Sequence, residues 1–111
     1  MKIVAQQMNG VLVISVDQDR IDAVSAIAFK DQMRQVTQSS AGRVVLDLAQ
    51  VAFIDSSGLG AIVAAMKALA PAQKLELSGL TATVKKVFRL TRMDTVFTIH
   101  EDLPVGLAKA G

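Results

Sequence analysis

The apolar positions at the start of the chain follow a strand-like pattern and predict a β-hairpin. Residues 2–8 and 11–17 are expected to form two strands, and Val11-Leu12-Val13-Ile14 is rich in the β-branched residues that favour strands. Asn9-Gly10 separates the two runs. Both residues tolerate positive φ angles, so this dipeptide between apolar segments is a strong hairpin signal.

Further along, the apolar spacing alternates between helical and strand-like periods. In 22–38, Ala26, Phe29, Met33 and Val36 recur at helical spacing and predict a helix. The unbroken apolar run within 43–48 is typical of a parallel strand covered on both faces. The later predicted elements are a helix over 57–70 stopped by Pro71, a strand over 74–78, a helix over 81–92 with Leu80, Val84, Val87 and Phe88 inward, a strand over 96–99, and a short C-terminal helix over 102–109.

This order of elements predicts an α/β fold. Helices and strands alternate after the hairpin without a linker or an internal repeat, so we expect one domain over residues 1–111. Its sheet is expected to be mixed and mostly parallel, with the N-terminal hairpin at one side and the helices packed on it.

The composition removes several functional classes. Hydrophobic residues make up 51% of the 111 residues, which is enough for a core and too much for a disordered chain. The 12 basic and 10 acidic side chains leave a net charge of only +2, and the aromatic residues are four Phe without Trp or Tyr. Direct nucleic-acid binding is therefore not expected. The absence of cysteine excludes disulfides and thiol catalysis.

Nothing in the sequence predicts a membrane segment. The first residues lack the apolar run of a signal peptide, and the longest apolar stretch without a charge, 56–66, is too short to span a bilayer. We expect a cytoplasmic protein that does not insert into a membrane.

The most informative segment is Asp55-Ser56-Ser57-Gly58-Leu59-Gly60, where a buried strand is predicted to end and a helix to begin. A helix N-terminus favours negative charge because its first N–H groups have no helical partner and its dipole is positive there. Two hydroxyls at this position indicate a phosphorylatable site. Asp and Ser are also preferred N-cap residues, so a helix cap is the simpler interpretation of Asp55, Ser56 and Ser57.

The helix that follows has an unusual predicted outer face. At about 100° per residue, the core stripe gathers Leu59, Ile62, Val63, Met66 and Leu69. The opposite side holds small residues with almost no charge: Ser57, Gly60, Ala61, Ala64 and Ala68. A face of this kind indicates a surface where a partner docks. The alternative is a helix buried on both sides within its own domain.

The sequence does not support an enzyme. His100 is the only histidine and is predicted to lie at a strand end, and neither a nucleophile elbow nor a nucleotide-binding Gly-x-x-x-x-Gly-Lys loop is present. One His and scattered carboxylates do not predict a metal site. A basic cluster in the third predicted helix is either a patch for an acidic partner or a solvated face: Lys85, Lys86, Arg89 and Arg92.

The whole chain, about 2–108, resembles the STAS domain, and specifically the bacterial anti-sigma factor antagonists. The most specific match runs from Val44-Val45-Leu46-Asp47-Leu48 through Phe53-Ile54-Asp55-Ser56-Ser57-Gly58-Leu59-Gly60, and the segment 84–94 looks like the family's third helix and its exit. The order of predicted elements also agrees.

The resemblance implies a switch controlled by phosphorylation. In the family, the serine after the motif Asp, here Ser56, is phosphorylated by a GHKL-type serine kinase that is also the anti-sigma factor. The unphosphorylated protein binds that kinase and frees a sigma factor, and a PP2C-type phosphatase resets the switch. No cofactor is implied for this chain, and its oligomeric state stays open. Together with the outer helix face, the resemblance predicts these partner-binding residues: Asp22, Asp55, Ser56, Ser57, Gly58, Gly60, Ala61 and Ala64.

One loop departs from the family pattern. The family usually has a Gly and an acidic residue before an apolar residue and an Asp, whereas this chain has Asp19-Arg20-Ile21-Asp22. Asp22 matches the final Asp and is expected either to contribute to the site or to cap the first long helix.

A second functional interpretation stays open. A STAS subunit of a membrane transport complex, such as a lipid ABC transporter, would use the same helix face to dock on an ATPase without phosphorylation. The hydroxyl of Ser56 favours the anti-sigma factor antagonist, because the transport subunit could dispense with it.

Overall fold

The architecture is a central sheet with three helices, seen in a computed structural model that describes residues 1–38 and 42–103. The strands are β1 Ile3–Met8, β2 Val11–Val16, β3 Arg20–Ile21, β4 Arg43–Asp47, β5 Phe53–Ile54, β6 Lys74–Ser78 and β7 Thr98–His100. The helices are α1 Ala26–Thr37, α2 Ser56–Lys67 and α3 Ala82–Leu90, and a 3₁₀ turn spans Met93–Thr95.

The main sheet has the order β1-β2-β4-β6-β7. β1 and β2 are antiparallel, and β2, β4, β6 and β7 run parallel to one another. The predicted α/β class with a mixed, mostly parallel sheet is therefore confirmed. So is the hairpin: Asn9 and Gly10 have φ angles of +52° and +78°, as a tight turn of the primed type requires.

The larger core lies between the helices and one face of the sheet. Leu12, Ile14, Val44, Leu46 and Leu77 point to this face and pack with Phe29 of α1, Ile62 of α2 and Phe88 of α3. A smaller cluster of Val11, Val13 and Val45 occupies the opposite face, with Met8 and Leu103 against it. Both faces of β4 are thus buried, as its uninterrupted apolar run predicts.

Several predicted boundaries are wrong, and local chemistry explains the start of α1. α1 begins at Ala26 and not at residue 22, because the Asp22 carboxylate accepts hydrogen bonds from Val24 N and Ser25 N and holds a turn. α2 ends at Lys67, before Pro71.

The end of the chain also departs from the prediction. α3 ends at Leu90, two residues before Arg92 takes the left-handed φ of +60°, and β7 begins only at Thr98. Of the predicted C-terminal helix over 102–109, residues 102 and 103 are not helical, and 104–109 lie outside the described residues. In the part of the chain that is described, no helix has the length and apolar character needed to cross a bilayer.

Candidate functional site

The site is built around the start of α2, where Asp55 holds two segments at once. Its Oδ1 accepts a hydrogen bond of 2.8 Å from Gly58 N, which caps the helix. Its Oδ2 accepts one of 3.1 Å from Ala23 N in the loop between β3 and α1. A single carboxylate therefore fixes that loop beside the helix N-terminus.

The short parallel strand pair of β3 and β5 holds the two segments of the site together. Arg20 pairs with Phe53 and Ile21 with Ile54. The Asp19 carbonyl accepts hydrogen bonds from Ala52 N (2.7 Å) and Phe53 N (3.1 Å). The departure from the family pattern at positions 19 and 20 thus leaves the backbone pairing intact and changes only the side chains presented there.

Gly58 allows α2 to approach this strand pair closely. A Cβ atom at position 58 would overlap the carbonyl oxygen of Ile21 and would come within 2.9 Å of Ile54 Cγ1. By contrast, a Cβ atom at Gly60 would meet nothing within 4 Å. The first glycine is needed for packing, whereas the second lies on the open side of the helix.

Ser56 and Ser57 occupy the first turn of α2, and both are exposed. Neither hydroxyl makes a hydrogen bond within residues 1–38 and 42–103, and the first turn contains no acidic residue. The helix cap predicted for Asp55, Ser56 and Ser57 is therefore confirmed for Asp55 and wrong for the two serines. Their hydroxyls are left facing solvent at the positive end of the helix dipole.

Asp22 and Arg20 lie beside this helix start. Asp22 Oδ1 holds the turn before α1, and its Oδ2 is 3.6 Å from Arg20 Nε. The Arg20 guanidinium stacks 5.0 Å from the centroid of the Phe53 ring. Asp22 does not cap α1, since the N-cap of that helix is Ser25.

Exposed apolar side chains lie on the segments that form the site, and sequence reasoning missed them. Val24 is 93% exposed, Ile27 69% and Phe53 40%. Val24 directly follows Ala23, the loop residue whose N–H donates to Asp55. Ile27 lies in the first turn of α1, and Phe53 lies two residues before Asp55. The sequence did carry a signal for their exposure. Val24 and Ile27 do not fall on the helical stripe of Ala26, Phe29 and Met33 that faces the core.

The small residues of α2 divide between the interior and the surface. Ser57, Gly60 and Ala68 are exposed, as predicted. Ala61 is only 2% exposed, so its predicted place on an outward face is wrong. Gly58 is also buried, and Ala64 is half-buried.

Ala61 belongs to the main core cluster, which also contains Phe29 and Met33 of α1. α1 packs against α2, and the two helices leave between them a groove of about 270 Å³ lined by Met33 and Thr37 of α1 and by Ala64, Ala65 and Ala68 of α2. Small side chains let the two helices approach. Part of the apparent docking face is therefore explained by burial within the domain.

A second cluster of polar residues lies on the sheet and away from this site. Glu76 accepts two hydrogen bonds from Arg43, at 2.7 and 2.9 Å, and its Oε1 lies 2.7 Å from His100 Nε2. The bidentate Arg43 lowers the pKa of Glu76 to about 2, against the opposing effect of burial. His100 is a strand-end residue in this cluster, as predicted.

The described residues do not include a metal-binding group of three His, Cys, Asp or Glu side chains. Lys85, Lys86, Arg89 and Arg92 are all exposed, and Lys85 Nζ lies 3.5 Å from Glu101. That arrangement is typical of a solvated helix face.

Comparisons with known proteins agree with the geometry. A family model described as STAS domain matches residues 2–105. The anti-sigma-B factor antagonist of Listeria monocytogenes is 36% identical over 81 residues, covering 71% of this chain and 70% of that protein. An anti-sigma factor antagonist from Mycobacterium paratuberculosis has a TM-score of 0.84 at 26% identity, covering 96% and 90% of the two chains. The Bacillus cell fate determinant SpoIIAA in its phosphorylated form shares the fold, with a TM-score of 0.62 at 17% identity over 88% and 90%.

Proposed function

Given that this chain belongs to the STAS domain family, we propose that it is an anti-sigma factor antagonist controlled by phosphorylation of Ser56. The observation that carries the proposal is the exposed Ser56 hydroxyl in the first turn of α2, next to the Asp55 cap. Exposed apolar side chains on the adjoining segments support it. In this proposal the chain acts by binding and release, and it has no catalytic role.

The first step is docking of the unphosphorylated form. Val24, Ile27 and Phe53 present apolar area, while Ser57 and Gly60 offer a small, uncharged helix surface. Such a surface fits a partner that buries apolar contacts against the start of α2. Gly58 and Ala61 are buried, so in this proposal they support the surface without contacting the partner directly.

The second step is release on phosphorylation. A phosphoserine at position 56 adds about −1.5 to −2 charges. The domain can hold that charge without unfolding, because the helix N-terminus stabilises an anion. The docked partner cannot hold it, since burying a dianion among apolar groups carries a large desolvation cost. Phosphorylation therefore dissociates the complex and leaves the fold intact.

The partners follow from this cycle. We propose a GHKL-type serine kinase that is also the anti-sigma factor, and a PP2C-type phosphatase that restores Ser56. ATP and magnesium belong to the kinase, and the need for ATP places the cycle in the cytoplasm. Arg20, stacked on Phe53 where the family usually has an acidic residue, is proposed to select among related kinases.

The test compares wild type with Ser56→Asp and with Ser57→Asp as the neighbouring control. Each tagged protein is used to capture partners from native cell extract, and the affinity of the kinase so identified is then measured by calorimetry. Ser56→Asp is expected to weaken binding at least tenfold, about 1.4 kcal/mol, and Ser57→Asp to weaken it less.

Two outcomes would contradict the proposal. One is an unchanged affinity of a folded Ser56→Asp protein for the kinase. The other is retention of a transporter ATPase equally by wild type and Ser56→Asp, which would favour the transport subunit and leave Ser56 without a switching role.

A further inference from the structure

The outer edge of β1 is long, exposed and free of charge. Its six residues, Ile3–Met8, include no charged residue and no proline, and four of them are exposed. Within residues 1–38 and 42–103, β1 pairs with no strand other than β2. The opposite edge strand, β7, has three residues and is followed by Glu101 and Asp102. Natural sheets protect long edges with charges, prolines or bulges, because an open edge invites another strand.

The hydrogen bonds of β1 show which groups face outward. The Lys2 carbonyl accepts from Asp17 N at 2.9 Å, so residue 2 faces β2. Backbone groups alternate along an antiparallel strand, so residues 4, 6 and 8 also face β2. The N–H and C=O groups of Ile3, Ala5 and Gln7 therefore point away from the sheet, and no described residue pairs with them.

We propose that this edge binds the β1 edge of a second copy of the chain, in antiparallel register centred on Ala5. In that register Ala5 lies opposite Ala5 of the second copy, and Ile3 lies opposite Gln7. All outward groups then pair, which gives about six main-chain hydrogen bonds and continues the sheet across the two copies. The proposal does not depend on the proposed function.

A second copy fits this edge because the register is self-complementary. Residues opposite each other fall on the same face of the continued sheet, since odd positions meet odd positions. Lys2 lies opposite Met8 of the second copy, so like charges do not meet. The Lys2 ammonium is also matched within its own copy by Asp17 at 3.2 Å. Val4, which is 50% exposed, gains apolar contact beside the new pair.

The test uses charges placed on the two-fold axis. Ala5 is exposed, so Ala5→Lys and Ala5→Glu should each fold, which thermal unfolding checks. In the proposed register each variant puts like charges directly opposite each other in its own homodimer, whereas the mixture puts opposite charges there. Sedimentation equilibrium up to millimolar concentration measures the assembly.

We expect a concentration-dependent dimer of wild type, at least tenfold weaker self-association of each variant, and recovery of a dimer when the two variants are mixed. Ala5→Pro, which removes only an outward N–H, should weaken the dimer as well. A wild type that stays monomeric at millimolar concentration overturns the proposal. So does a dimer that all three variants leave unchanged, or one that the mixture fails to restore.

Discussion

Small residues occur on both the inner and the outer side of α2, but they are small for different reasons. On the inner side Gly58 is small because the Ile21 carbonyl of β3 lies against it, and Ala61 is buried in the main core. On the outer side Ser56, Ser57 and Gly60 touch no comparable neighbour. Residue size alone therefore does not identify a docking surface. Adding a methyl group on each side of the helix distinguishes a residue that is small because of packing from one that is small on an open surface.

The largest difference is expected between the two glycines. Gly58→Ala places a methyl group on the Ile21 carbonyl oxygen, so the free energy of unfolding should fall by about 2 to 3 kcal/mol. Gly60→Ala meets open space and should raise it by up to about 1 kcal/mol, because alanine favours helix. Urea unfolding of both variants measures this, and equal destabilisation would show that the inner packing is not as tight as described.

Acid should distinguish the site from the polar cluster on the sheet. The pKa of Glu76 is lowered from its ordinary 4.5 to about 2 by Arg43, so its stabilising effect is complete above pH 4.5 and is lost as the pH falls toward 2. Glu76→Gln should cost about 2 kcal/mol at neutral pH, since it breaks charge-assisted hydrogen bonds.

The pH profile provides the control for Glu76. The unfolding free energy of Glu76→Gln should depend less on pH between 4.5 and 2 than that of wild type, while partner binding at neutral pH stays unchanged. Parallel acid profiles for the two proteins would assign the acid sensitivity to other carboxylates.

Asp55 should give a smaller but more informative loss. Asp55→Ala removes the cap on Gly58 N and the bond from Ala23 N, which should cost about 1 to 2 kcal/mol and weaken partner binding. Asp55→Asn retains one carbonyl oxygen for the cap but cannot accept both bonds. The unfolding free energy of Asp55→Asn should therefore lie between those of wild type and Asp55→Ala. If Asp55→Asn is as unstable as Asp55→Ala, the two hydrogen bonds do not contribute separately to stability.

The smallest effect on stability is expected at the serines. Ser56→Ala and Ser57→Ala should each change the free energy of unfolding by less than about 0.5 kcal/mol, because Asp55 and not a serine caps the helix. Only Ser56→Ala should abolish phosphorylation by the kinase, as read by mass spectrometry. A loss of more than 1 kcal/mol in either variant would return that serine to a structural role.

The sequence predicts the parts of this fold that have a clear period or turn signal. Asn9-Gly10 marks the hairpin, the run 44–46 marks a strand buried on both faces, and the predicted strand over 74–78 matches β6. The short strands β3 and β5 were not predicted, because two residues are too few to show a period.

The site was predictable in chemistry but not in geometry. The motif identifies Asp55 and Ser56 as site residues. It does not predict the hydrogen bond from Ala23 N to Asp55, because these residues are 32 positions apart in the sequence. Ala61 was misplaced because the inward side of the helical wheel was chosen from the large apolar residues, whereas Gly58, Ala61 and Ala65 are also buried.

The bridge made by Asp55 also bears on when the docking surface comes into existence during synthesis. Ala23 and Asp55 are 32 residues apart, and β3 reaches β5 across the same span. A ribosome-bound chain that has released only α1 lacks both the helix start and the loop position it fixes. The proposed docking surface therefore forms only after this long-range closure. If the proposed function holds, incomplete or misfolded copies do not bind the partner.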